Sequence, residues 1–247
     1  MGVRRYFLQG VALVVAGLAA GAAMGEDAAR DRIGQAAAMA GELKSQAADA
    51  DRDAAGQASQ DYAEAIAALN RGNSSRAITL LTRAARQGDA GAQLRLGGIY
   101  SAEGALRDLK TAFAWYRQAA DQGDAAGEYK VGMMLLRGEG VKRDVEGAAM
   151  WLKKSAEQGY ARAQTNYGSL CLAGMGVDQD FIQAVQWFKK AAEQNYGDAQ
   201  YLMGVAYEHG EGVARDVGQA KAWYKRAVAN GNGLAKGPLY RLEGYPR

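Results

Sequence analysis

The chain has 247 residues, with 30 Lys or Arg against 27 Asp or Glu, 33 Gly, 2 Pro, 1 Cys and 1 His. A single cysteine excludes an intramolecular disulfide and a multi-thiolate zinc site, and a single histidine excludes any metal site built on two imidazoles. No metal or other cofactor is expected. Near-balanced charge with 49% hydrophobic residues describes a folded core and excludes a disordered acidic or basic tail.

Both prolines, Pro238 and Pro246, fall in the last ten residues. The long glycine-rich stretch before them predicts helices joined by glycine turns.

Residues 1–25 carry Arg4 and Arg5 but no acid, then an apolar run from Val11 to Ala23. A positive head, a short apolar stretch and small residues at its end form an export signal, too short for a confident membrane span. Arg4-Arg5-Tyr6-Phe7-Leu8-Gln9 resembles the twin-arginine motif, with Val3 and Gln9 departing from it; an ordinary secretory head holding two arginines is the alternative. Cleavage is expected after Ala22 or Gly25, giving a periplasmic or secreted chain, while retention of the segment would leave an N-terminal membrane anchor. Losing its two arginines takes the net charge from +3 to +1, so the basic balance is no argument for nucleic acid.

Residues 26–60 are rich in Ala and hold seven acids and four bases. With Ile33, Met39 and Leu43 as the only large aliphatics, the segment has helix propensity but little to bury, and it reads as a linker or frayed helix.

The remainder is organised by a repeat. Trp115, Trp151, Trp187 and Trp223 stand 36 residues apart, and Gly97, Gly132, Gly168 and Gly204 follow at 35, 36 and 36. A single deletion in the first loop, where Ser101-Ala102-Glu103-Gly104 faces Leu136-Arg137-Gly138-Glu139-Gly140, reconciles the two series. Each unit reads as two helices: a first with small and apolar residues around the marker glycine, a Gly-x-Gly turn, then Asp108, Asp144, Asp180 or Asp216 where an N-cap belongs. The second helix carries Ala-x-x-Trp-aromatic/Leu. Residues 61–90 read as a degenerate unit with Leu80 in the tryptophan position, residues 91–231 as four good copies, and residues 232–247 as a C-terminal cap or tail. One such unit cannot cover its apolar faces alone, so the units must stack into an all-α solenoid.

The pattern Ala-x-x-x-apolar-Gly-x-x-Tyr, Gly-x-Gly-Val-x-x-Asp, Ala-x-x-Trp-Tyr/Phe-x-x-Ala-Ala-x-x-Gly is similar to the Sel-one-like repeats, relatives of the tetratricopeptide repeats. The resemblance implies a right-handed α/α superhelix of about four to five repeats that serves as an adaptor for other proteins, with the ligand on its inner surface.

On each first helix, the positions three before, one after and four after the marker glycine lie opposite the core face. They are Leu94, Gly98 and Ser101; Tyr129, Met133 and Leu136; Thr165, Ser169 and Leu172; Tyr201, Val205 and Glu208; Arg137 and His209 lie one step further. The surplus of Tyr, Met and Leu suits a peptide or helix of a partner protein, and packing between repeats competes for about half of these positions. Tyr129, Met133, Arg137 and Tyr201 are the leading contact candidates.

On the second helices, seven of the eight residues Arg117, Gln118, Lys153, Lys154, Lys189, Lys190, Lys225 and Arg226 are basic. A ridge for anionic lipid or polysaccharide is one reading, and complementing helix C-termini is the other. No aromatic residues interleave to stack bases, so nucleic acid is disfavoured. Gly-x-Gly lacks the Lys-Ser/Thr of a phosphate loop, Cys171 sits at a core-facing position, and His209 ends a first helix. No catalytic residue is predicted. The resemblance also brings in secreted cysteine-rich members described as β-lactamases, but one Cys and the absence of Ser-x-x-Lys argue against that activity. The expectation is a monomeric, periplasmic, non-enzymatic protein-binding scaffold.

Overall fold

The computed structural model describes residues 26–244; the export signal read in residues 1–25 and Pro246 lie outside them. Eleven α-helices and one 3₁₀ turn, with no strand, make up the described residues. They run α1 Glu26–Asn70, α2 Ser74–Arg86, α3 Ala90–Ser101, α4 Leu109–Asp121, α5 Ala125–Arg137, α6 Val145–Glu157, α7 Ala161–Ala173, α8 Phe181–Glu193, α9 Gly197–His209, α10 Val217–Ala229 and, after the turn Gly233–Ala235, α11 Lys236–Glu243. Each helix packs chiefly on its predecessor and successor, which makes the chain a solenoid of helix-turn-helix units. No described helix is long and apolar enough to cross a membrane.

Helices α2 to α10 have 12 or 13 residues each, a length at which an isolated helix is marginal in water. Packing therefore decides their stability, and the marker glycines decide how close it is. A Cβ on Gly97, Gly132, Gly168 or Gly204 would stand 2.5, 2.8, 2.7 or 2.5 Å from Tyr116, Leu152, Phe188 or Tyr224 respectively. The first helix of each unit thus lies directly against a large side chain of its second helix. Buried residues such as Leu96, Leu152, Phe188 and Met203 contribute about 2 kcal/mol each by leaving water. The tryptophans sit at the joints: Trp115 packs on the cluster of α1 to α3, Trp151 on that of α4 to α6, and Trp187 and Trp223 on the cluster spanning Ala149 to Ala206.

The turns follow from local chemistry. In α5 to α6, Gly138 and Gly140 adopt φ of 72° and 70°, the left-handed region that L side chains disfavour. Asp108, Asp144, Asp180 and Asp216 each accept hydrogen bonds from backbone amides of the first turn of α4, α6, α8 and α10, satisfying donors that have no partner inside the helix.

A second polar series runs at the repeat period. Gln122, Gln158, Gln194 and Asn230, at the C-caps of the second helices, donate to Gln93, Glu128, Gln164 and Gln200 of the preceding first helices at 2.8–2.9 Å. Gln93, Gln164 and Gln200 in turn donate to the carbonyls of Ala85, Ala156 and Ala192. Three successive helices are thereby tied by one buried amide, a satisfied polar network that fixes register. Glu128 stands where the other units have Gln, and burial pushes its carboxyl above the ordinary range, with the Gln158 hydrogen bond partly opposing.

The last part of α1 belongs to the stack: Ala58, Asp61, Ala65 and Ala68 are buried against α2 and α3. Arg83 grips both carboxylate oxygens of Asp61, and Gln57 donates to it at 2.9 Å. The Arg83 hydrogen bonds hold the Asp61 carboxyl below the usual carboxylate range against the opposing effect of burial. Residues 37–57 are exposed apart from the half-covered Ala40 and Ala47. At the other end, Leu239 of α11 is buried with Tyr224, Ala227 and Ala235, against which Tyr201, Val205 and Leu242 pack.

Candidate functional site

The first-helix residues divide into three groups. On α5, Tyr129, Met133, Leu136 and Arg137 form a half-covered to exposed patch. Tyr129 stacks on Tyr160 with ring centroids 5.2 Å apart at 54°. Asn166 Nδ2 of α7 donates to the Tyr129 hydroxyl at 3.3 Å and reaches Met133 Sδ at 3.5 Å. Arg137 is exposed, 3.7 Å from Glu139.

In the middle of the array, Thr165 is buried and donates to Ala161 O at 2.9 Å, and Ser169 donates to Thr165 O at 3.0 Å. Both hydroxyls are used within their own helix. Leu94 packs on the cluster around Tyr116 and Val131, and Leu172 on the cluster around Leu170 and Phe188.

At the end of the array the candidates turn toward α11. Tyr201 lies 5.8 Å from the Tyr224 ring, and Val205 packs on the same cluster. Glu208 is 7% exposed; it accepts from the Tyr224 hydroxyl at 2.8 Å and from Arg241 of α11 at 2.5 Å. Burial, then the Glu208 hydrogen bond, pushes the Tyr224 hydroxyl well above the ordinary tyrosine range. His209 is exposed.

A cavity of about 320 Å³ opens beside the α5 patch, lined among others by Ser101, Tyr116 and Met133, by the cations Arg107, Lys130 and Arg137, and by the carboxylates of Glu103 and Glu139. Its origin is the shortened first loop. In the three later units a loop residue, Arg143, Gln179 or Arg215, turns back to donate to the carbonyl of Leu136, Leu172 or Glu208. The corresponding Arg107 pairs instead with Glu103 at 3.3 Å and lines the cavity. Ser101, in the position held by Leu136, Leu172 and Glu208, donates to Gly98 O at 3.1 Å and stands 3.2 Å from the hydroxyl of the buried Tyr116, which borders the cavity. Lys130 lies 5.8 Å from the centroid of the Tyr116 ring. Burial and the nearby Arg162 and Arg137 hold its ammonium below the ordinary lysine range. Lys130, Asn166 and Tyr116 are the residues that periodicity on one helix face did not select; the visible signal was Ser101 in a series of Leu, Leu and Glu.

The basic ridge of the second helices is engaged locally. Arg117 pairs with Asp121, Lys153 with Glu157, Lys189 with Glu193 and Lys225 with Glu243. Lys154, Lys190 and Arg226 lie over the rings of Trp151, Trp187 and Trp223 at 4.6, 4.1 and 4.8 Å, a cation–π arrangement. Cys171 is buried and hydrogen-bonds to Gln183 at 3.1 Å, and burial pushes its thiol up, the reverse of what a nucleophile requires.

The family model of the Sel1 repeat matches residues 69–89, 90–124, 125–160, 161–196 and 197–232. The chain belongs to the Sel1 repeat family. Such repeats are generally non-catalytic scaffolds that mediate protein–protein interaction. Among solved structures, the chain is similar to a Sel1 repeat protein from Oxalobacter formigenes, with 32% identity, a TM-score of 0.70 and 76% of each chain covered. It is also similar to a protective antigen of uropathogenic Escherichia coli strains displaying the same fold, with 40% identity and a TM-score of 0.64. That match covers 67% of this chain and 36% of the antigen, so the chain spans about a third of its length. An immunity protein from Pseudomonas aeruginosa shares the fold at 24% identity, with a TM-score of 0.52 and 77% and 76% of the two chains covered. None of the curated proteins matches the chain.

Proposed function

We propose that this Sel1 repeat chain is an exported, non-catalytic recognition scaffold that binds a segment of a partner protein across its first helices, centred on Tyr129, Met133 and Arg137. The observation that carries the reading is the α5 patch. Tyr129 and Met133 are held in place by Tyr160 and Asn166 yet remain partly exposed beside an open cavity. Side chains fixed before binding lose little entropy when a partner arrives. Residues 1–25 support export to the periplasm or beyond, and the chain acts as a monomer in this reading. The later groove positions contribute to shape, since Tyr201, Val205 and Glu208 are engaged by the terminal cluster. The local pairing of the ridge cations argues against lipid or polysaccharide as the main ligand, because exposed charges already matched nearby offer little net attraction.

The test is affinity capture of the partner by the mature chain, compared with Tyr129→Ala, Met133→Ala and Lys189→Ala. Loss with the first two and retention with the third is expected. Identical capture by all three would refute the placement on the first helices.

A further inference from the structure

We propose that the cavity between α3, α4 and α5 binds a side-chain carboxylate of the partner segment, with Lys130 Nζ and the Tyr116 hydroxyl as its donors. The inference rests on the groove reading above and adds to it the chemistry that the groove selects.

Ser101 and Tyr116 occupy the same repeat positions as Glu208 and Tyr224, three units further on. There, the tyrosine hydroxyl donates to a carboxylate that a cation from the next helix also holds, Arg241 at 2.5 Å. In the first unit the tyrosine hydroxyl and a neighbouring cation are both present, but Ser101 offers the hydroxyl only its Oγ at 3.2 Å, an acceptor that a carboxylate would replace, and about 320 Å³ lies open beside it. That volume matches the lower range of small-ligand sites.

The charges agree with this reading. The cavity wall carries two carboxylates, Glu103 and Glu139, against three cations; Arg107 pairs with Glu103 and Arg137 with Glu139, which leaves Lys130. Among the described residues, no carboxylate lies within ion-pair distance of Lys130, whose Nζ is 5.8 Å from the centroid of the Tyr116 ring. A partly buried ammonium with cations around it gains most from a carboxylate, since a charge-assisted hydrogen bond also relieves its desolvation. Tyr129 and Met133 border the cavity and supply an apolar flank for the residues on either side of the acid.

The experiment uses the mature chain carrying methyl-¹³C methionine and three probes: acetyl-Leu-Glu-Leu-amide, acetyl-Leu-Gln-Leu-amide, and acetyl-Leu-Gln-Leu with a free C-terminus. Methyl shifts of Met133 and Met134, both at the cavity, report binding. The Glu amide should bind about tenfold more tightly than the Gln amide, a typical gain for one charge-assisted pair. Lys130→Gln should remove the difference. Ser101→Glu, which places an internal carboxylate where Glu208 stands in the last unit, should block the Glu amide, whereas Ser101→Gln should not; these two keep the test decisive if the lysine variant folds poorly. Equal binding of the two amides overturns the carboxylate site while leaving the groove intact. Tighter binding of the free acid than of the Glu amide overturns the assignment to a side chain. Absence of shifts with every probe overturns the cavity as a site, and the affinity-capture comparison above then judges the groove by itself.

Discussion

Replacing Gly168 by Ala sets helix propensity against packing at the centre of the solenoid. In an unhindered helix the change would stabilise by about 1 kcal/mol. Here the new Cβ would lie 2.7 Å from Phe188 Cε1, 2.9 Å from its Cδ1 and 3.0 Å from the Ala184 carbonyl oxygen, several tenths of an ångström inside ordinary contact. Phe188 is 2% exposed and the carbonyl belongs to α8, so neither can yield without moving the helix. Overpacking of this kind costs about 1–3 kcal/mol, which leaves a net loss of up to about 2 kcal/mol and lowers Tm by up to roughly 8 °C for a chain of this size. Thermal unfolding followed by circular dichroism measures it. In a Phe188→Ala background the ring contacts are gone and only the 3.0 Å approach to the Ala184 carbonyl remains, so the same Gly168→Ala change should cost clearly less. A rise in Tm in the wild-type background, or an equal loss in both backgrounds, would refute close helix approach as the reason for the glycine.

Glu128→Gln should stabilise at pH 7 by about 1 kcal/mol, because an amide can donate as Gln93, Gln164 and Gln200 do. The gain should shrink as pH falls, since a carboxyl with a raised pKa regains stability by protonation; denaturant titrations at pH 7 and pH 4.5 check this. Asp61 has the opposite sign. Its depressed pKa contributes stability above the unfolded value, near 4, that is lost as pH falls through the folded value, so the Tm difference between wild type and Asp61→Asn should narrow from pH 7 to pH 3. Arg241→Met should cost about 1–2 kcal/mol, less than breaking a fully buried pair because the Arg241 side chain is 53% exposed. Adding Glu208→Gln should recover part of that loss in urea unfolding.

The repeat was legible because its geometry tolerates few residues. A glycine must stand where two helices touch, a tryptophan must bridge units, and an acid must cap a helix, so all three recur in step. The amide series was as periodic, yet polar residues in helical register read as solvent-facing until Gln164 is seen buried between α6 and α8. Ala-rich residues 26–60 stayed between linker and helix in the sequence because propensity without burial decides neither; the structure continues α1 through them. The groove was legible only as a helix face. Periodicity places Tyr129 and Tyr201 on equivalent positions but does not say that the α11 cluster engages Tyr201, or that a deleted loop residue frees Arg107 from the cap that Arg143, Gln179 and Arg215 provide.

Photo-crosslinking in cells tests the central claim most directly, with a benzophenone amino acid placed at Tyr129 on the first-helix face or at Lys189 on the second-helix ridge. Recognition through the first helices predicts a discrete adduct with one partner from position 129 and none from position 189. The same adduct from position 189, with none from position 129, would contradict it.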